Sequence, residues 1–206
     1  MSIKQLSIGY DNFCYIISDP IEKIAGVIDP GYSAIKIITF LQENHLKIKY
    51  IIATHYHSDH TNAISELKLH YPKSRIVCSD IENKYMQPKA DITITDDSKL
   101  PLGSVTLHFI LTPGHTPGGI CILVNNNALI TGDTLFINDC GRTDLPNGSL
   151  KNMYNTLQNK IKPLADDIII YPGHDYGPKP YDTLGNQKKT NKTLAVNSFE
   201  DFSKIK

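Results

Sequence analysis

The chain has 206 residues and a mass of 23.0 kDa, enough to bury one substantial core and short enough for a single domain, 1–206. Its 21 lysines and arginines match its 21 aspartates and glutamates, so no overall field draws it to nucleic acid or to an anionic membrane. Cys14, Cys78, Cys121 and Cys140 show no CxxC spacing and read as reduced thiols; no run nears the roughly 20 apolar residues of a membrane span, no basic segment leads a long apolar one at the start, and a cytoplasmic protein is expected.

In chain order, residues 3–8 and 13–18 read as strands of an opening hairpin around the turn signal Asp11-Asn12. A third apolar run, 24–28, stops at Asp29-Pro30-Gly31, where proline fixes φ and glycine admits φ > 0. The period then changes: Ala34, Ile35, Ile37, Ile38 and Leu41 recur at helical spacing after Ser33, an N-cap residue type. Residues 50–53 form a short buried strand, 61–69 a helix closed by Pro72, and 75–78 the next strand. The polar stretch 80–98 has no clear assignment beyond Ile92 and Ile94, which suit a short edge strand. Strands follow at 105–111, 120–124 and 128–131, the last two joined by three asparagines with hairpin chemistry. Leu150, Met153, Tyr154, Leu157 and Ile161 mark an amphipathic helix, 167–171 a last buried strand, and from Lys179 the tail is polar until Phe199 and Phe202. Grouped strands with helices between and after them predict an α/β sandwich.

Chemistry concentrates in YIIATHYHSDH, residues 50–60. Imidazoles and a carboxylate suit Zn²⁺ or Fe²⁺, and side chains at i and i+2 of an extended segment point the same way, so His55 and His57 can grip one ion. Asp59 and His60 face a different point, which fits two ions, or one ion with a second half-used set, better than one structural zinc. Three more apolar strands run out into loops bearing a potential ligand: HFILTPG leads to His115, ALITG to Asp133 and IIIYPG to His174. Glycine precedes each, at Gly114, Gly132 and Gly173, as expected where backbone turns sharply or approaches another group. His45, His70 and His108 fall outside this pattern.

The order HxHxDH, a PGHT histidine, a TGD aspartate and a PGH histidine resembles the metallo-β-lactamase superfamily over roughly residues 10–195. Within it, GDTLFINDCGRTD and YPGHDYG resemble the glyoxalase II-like hydrolases and their relatives, the persulfide dioxygenases. The resemblance implies an αββα sandwich, two mixed sheets flanked by helices, with two divalent ions at one sheet edge: zinc, or iron, or a mixed pair. Position by position, His55, His57 and His115 would hold the first ion, Asp59, His60 and His174 the second, and Asp133 would bridge, with Asp59 and Asp133 as the catalytic carboxylates.

A hydroxide held between two ions is available at neutral pH, because coordination lowers the pKa of water from 15.7 to about 7. The expected reaction is hydrolysis of a thioester of the hydroxyacylglutathione kind, whose thiolate leaves without a strong acid. The alternative is oxygenation of glutathione persulfide at a single Fe²⁺ held by His55, His115 and Asp133. Arg142 is a candidate partner for a substrate carboxylate, with an ion pair to Asp144 as its structural reading; Tyr176 could lend a phenol, or simply pack. Cys140 adjoins the same loop and reads as a buried thiol. About thirty residues follow Tyr176, too few for the helical domain that confers full glutathione specificity, so a broader thioester hydrolase is expected. Asp29-Pro30-Gly31 and Gly173 favour the hydrolase. Residues 10–13 could pack across a second copy of the chain.

Overall fold

The second strand shows how the layers arise. Every position of β2 (Phe13–Asp19) is buried, because its two faces serve different cores. Phe13, Tyr15 and Ile17 point into one apolar cluster, whereas Cys14 and Ile16 point into another, the period-2 alternation of a strand covered on both sides. The computed structural model describes residues 1–205. Its first sheet runs β1 (Ser2–Ser7), β2, β3 (Ile24–Ile28), β4 (Lys47–Ile52), β5 (Arg75–Ser79), β6 (Ile92–Ile94) in spatial order. The hairpin of β1, β2 and β3 is antiparallel, and from β3 to β6 the strands are parallel.

The second sheet comprises β7 (Lys99–Leu102), β8 (Val105–Leu111), β9 (Ile120–Val124), β10 (Ala128–Gly132), β11 (Ile169–Pro172) and β12 (Asp182–Thr183). All its pairings are antiparallel except β10 with β11. Between the sheets lie Tyr15, Ile52, Phe109, Ile122 and Ile130. Outside the first sheet pack α1 (Ala34–Glu43), α2 (Ser58–Thr61) and α3 (Ile64–His70), with Ile37, Leu41, Ile64 and Leu67 against it. Outside the second pack α4 (Leu150–Thr156), which continues through a π-helical turn, then α5 (Leu184–Thr190), α6 (Lys192–Ala195) and α7 (Phe199–Ile205). This is the expected αββα sandwich with two mixed sheets. Ser33 and Ser149 cap α1 and α4 by accepting the N–H of Lys36 and Asn152.

Two expectations need correction, and one open stretch is filled in, its edge strand at Ile92 and Ile94 present as β6. The helix expected over 61–69 starts only at Ile64, after the separate α2 ends at Thr61, and between them the Ala63 N–H donates to the Pro30 carbonyl. The stretch 80–98 holds a single 3₁₀ turn (Glu82–Lys84) before β6, and β7 follows it; Pro101 is tolerated there because β7 is an edge strand. The tail is helical well before Phe199. Thr183 caps α5 and Asn191 caps α6, two signals hidden in a polar run.

Candidate metal centre

Parallel pairing of β3 with β4 and of β10 with β11 brings strand C-terminal ends to one edge, and every expected ligand follows such an end. His55 and His57 follow β4, and the short α2 carries Asp59 and His60. His115, Asp133 and His174 come from the loops after β8, β10 and β11. Two glycines make the approach possible. Gly132 has φ +48°, and Gly173 lies so close to the site that a Cβ there would sit 2.4 Å from Asp133 Oδ1 and 2.9 Å from His60 Cε1.

The side chains form two groups of three. One donor atom each from His55, His57 and His115 lie within 4.8 Å of one another, and the same holds for Asp59, His60 and His174. His115 Nε2 is 2.9 Å from His57 Nδ1, and His60 Nε2 is 3.2 Å from His174 Nε2. Asp59 Oδ2 is 3.5 Å and 3.4 Å from the Nε2 atoms of His60 and His174. Asp133 stands between the groups: Oδ2 is 3.5 Å from His115 and 3.4 Å from His174, and Oδ1 is 3.3 Å from His60.

Hydrogen bonds behind the ring nitrogens set their direction. Asp29 Oδ1 accepts the Thr54 N–H and Oδ2 accepts the Thr54 hydroxyl, each at 2.7 Å, so the hydroxyl proton is committed and the Thr54 oxygen accepts from His55 Nδ1. Asp29 Oδ2 also accepts from His60 Nδ1 at 3.0 Å. His115 Nδ1 donates to the Arg142 carbonyl at 2.7 Å and His174 Nδ1 to Asp11 at 3.2 Å. Four imidazoles therefore turn Nε2 toward the site, and Asn12 steadies Asp59 by donating to Oδ2 at 3.1 Å.

Charge is arranged to match. Burial and the neighbouring imidazoles keep His55 and His57 below the usual histidine range, hence neutral and able to donate a lone pair. Burial also opposes a charge on His60, but Asp133, Asp29 and Asp59 push it up to about 9. Despite burial, His60, His174 and His55 hold the Asp133 carboxyl well below the carboxylate range. His55 Nε2 and Asp133 Oδ1 are buried without a hydrogen-bond partner, a cost of roughly 1–3 kcal/mol each that a bound cation would remove. Ligand nitrogens of a tetrahedral zinc at 2.0–2.1 Å lie about 3.3 Å apart. The spacing among Asp59, His60 and His174, 3.2–3.5 Å, and the 2.9 Å between His57 and His115 fit that requirement, and the proton held by His60 is one that an incoming cation would displace.

All seven expected ligands are thus gathered. Tyr176 lies at the site, its ring stacked on His174 at 4.8 Å and 5°. It borders a cavity of about 500 Å³ with His115, Asp133, Cys140, Arg142 and Lys192. The Arg142 fork is 62 % exposed and bound to Asp144 at 2.7 and 2.8 Å, so its main chain rather than its guanidinium reaches a ligand. His45 and His70 are exposed, and His108 pairs with Asp97. In the sequence Asp11 and Asp29 stand only within turn motifs, and Glu82 carries no signal at all. Glu82, fully buried, accepts the Tyr56 N–H at 2.8 Å and the Gly118 N–H at 2.7 Å, tying the His57 loop to the His115 loop.

A two-sheet sandwich whose strand ends converge on paired His/Asp clusters that could hold metal ions is the architecture of a metallo-enzyme. The chain belongs to the metallo-beta-lactamase superfamily, whose family profile matches residues 9–174. It is 32 % identical over 195 residues to the human mitochondrial persulfide dioxygenase ETHE1, covering 94 % of this chain and 75 % of that protein. It is equally, 32 %, identical over 199 residues to hydroxyacylglutathione hydrolase GloC of Haemophilus influenzae, covering 88 % of this chain and 92 % of that one. The crystal structure of ETHE1 from Myxococcus xanthus superposes with a TM-score of 0.90 at 27 % identity, over 100 % of this chain and 89 % of that one. Among the described residues no helix is long and apolar enough to cross a membrane.

Proposed function

We propose that the protein hydrolyses thioesters of a small thiol such as glutathione, with two divalent ions, zinc or iron, held by His55, His57 and His115 and by Asp59, His60 and His174. The observation that carries this reading is Asp133, whose carboxylate oxygens face both groups at 3.3–3.5 Å, the position of a bridge. Bound ions would supply Lewis acidity, lowering the pKa of water to about 7 and polarising an acyl carbonyl. The chain's own groups supply placement. Asp29 and Asp11 hold His60 and His174 by Nδ1, and Asp133, kept ionised, accepts rather than donates at the reacting centre. Tyr176 covers one face of His174 and limits water there. Arg142 and Lys192 border the cavity, where a carboxylate of the thiol half would compete with Asp144 and Asp139 for them.

Persulfide oxygenation is the second reading, favoured by the equal identity to ETHE1 and GloC; there His55, His115 and Asp133 would hold one Fe²⁺. One paired assay on purified protein with its metal measured separates the two. Two ions per chain and thioester cleavage without O₂ are expected. One iron per chain and O₂ uptake with glutathione persulfide would overturn the hydrolase. Asp133→Ala should abolish either activity.

A further inference from the structure

Two cavities flank the clustered histidines, and their walls differ in charge. The cavity on the His115 and Asp133 side is bordered by Arg142 and Lys192. The other, about 480 Å³, opens on the Asp59 and His174 side and is bordered by Tyr10, Asp11 and Tyr32. Tyr176 borders both and separates them. No lysine or arginine borders this second cavity among the described residues, and Asp11 and Asp59 do, so its walls disfavour an anionic group. Tyr10 is fully exposed and Tyr32 is 56 % exposed, which leaves two phenol rings in water beside the site. Tyr32 is nevertheless held in place. Its ring lies on Gly9, where an added Cβ would come within 2.5 Å of Tyr32 Cδ2, so the loop accommodates that ring at the expense of any side chain of its own. Aromatic faces fixed in advance bind rings with little loss of freedom, and a pocket of this size exceeds what a two- or three-carbon acyl group fills.

We propose that this second cavity is the acyl subsite and that it takes a neutral, ring-bearing acyl group. The inference rests on the thioester reading above. The substrate then lies across the centre, its anionic thiol half toward Arg142 and Lys192, its carbonyl beside Asp59 and Asp133, and its ring against Tyr10 and Tyr32. The class of substrate is an aryl-substituted acyl thioester of a carboxylate-bearing thiol.

The test compares kcat/KM for two glutathione thioesters, one with a hydroxyacetyl and one with a phenyl-hydroxyacetyl group, on metal-loaded protein. Intrinsic reactivity cancels when the aryl-to-small ratio is compared between variants. Tyr32→Ala should lower that ratio roughly 3- to 10-fold, the worth of one aromatic contact. Tyr32→Phe, which keeps the ring, should preserve it. Tyr10→Ala, at a fully exposed turn where folding is not at stake, should lower it in the same direction. A ratio unchanged within twofold in both alanine variants would overturn the subsite while leaving thioester hydrolysis standing. Cleavage of neither thioester by the unaltered protein would overturn the hydrolase reading and the subsite with it.

Discussion

Glu82→Ala tests whether the two ligand loops are held by one buried carboxylate. Glu82 has no exposed surface, and its two oxygens take the N–H groups of Tyr56 and Gly118 at 2.8 and 2.7 Å. Burial pushes its carboxyl above the usual range, and those two donors pull the other way. Truncation removes both bonds and leaves two N–H groups without partners, each costing roughly 1–3 kcal/mol, partly offset because a buried acid no longer has to be desolvated. A net loss of about 2–4 kcal/mol follows, which for a chain of this size lowers Tm by roughly 4–16 °C. Tyr56 adjoins His57 and Gly118 follows His115 by three residues, so the loosened loops should also weaken metal binding by about 10–100-fold, as for other groups that orient ligands. Thermal denaturation of metal-free protein reads the first effect, and chelator competition the second. A Tm within a degree or two of the unaltered protein, with metal affinity unchanged within twofold, would refute the reasoning.

Asp29→Asn should weaken the second ion directly, through His60, and the first through the Thr54 hydroxyl that orients His55. Asparagine tolerates the positive φ (53°) of that position, so the backbone is spared while His60 loses the carboxylate behind its Nδ1. Metal analysis should show fewer ions retained per chain than in the unaltered protein, and full retention of both after dialysis against chelator would count against it. Gly173→Ala should fold yet lose most activity, because its Cβ falls 2.4 Å from Asp133 Oδ1; full turnover would show that the loop can yield. Acid stability should depend on Asp182. Burial opposes its ionisation, but Lys179, Asn186 and Gln187 donate to it and bring its carboxyl down to about 2. A carboxyl depressed by folding stabilises the fold above its unfolded pKa and loses that contribution as pH falls through the folded value. The unaltered protein should therefore give up about 2 kcal/mol from this group between about pH 4 and pH 2, and Asp182→Asn should flatten that step in urea titrations.

The candidate ligands were legible because the chemistry is local or repeated: four of them fall within six residues, and the other three each follow an apolar strand through a glycine. The layering was legible from the same runs. What supports the ligands was not. Asp11 and Asp29 look like turn signals beside Asn12 and Pro30, and only folding brings them to His174, 163 positions away, and His60, 31 positions away. Glu82 lies in a polar stretch without periodicity, so nothing distinguished it from a surface acid. The sequence presents Arg142 as a guanidinium for a substrate, yet its carbonyl is what touches His115, and Asp144 two residues on captures the fork. The C-terminal helices escaped notice because their buried residues are few and spaced by caps rather than by an apolar stripe; Gln187 and Asn191 are fully buried through hydrogen bonds.

Each triad draws donors from both halves of the sandwich: His55 and His57 face His115, and Asp59 and His60 face His174. A cation seated in either would rivet one layer to the other along their common hem. Resistance to heat should therefore climb with free metal concentration, as RT ln(1 + [M]/Kd), and stripping the ions should let that hem part before the apolar interior gives way.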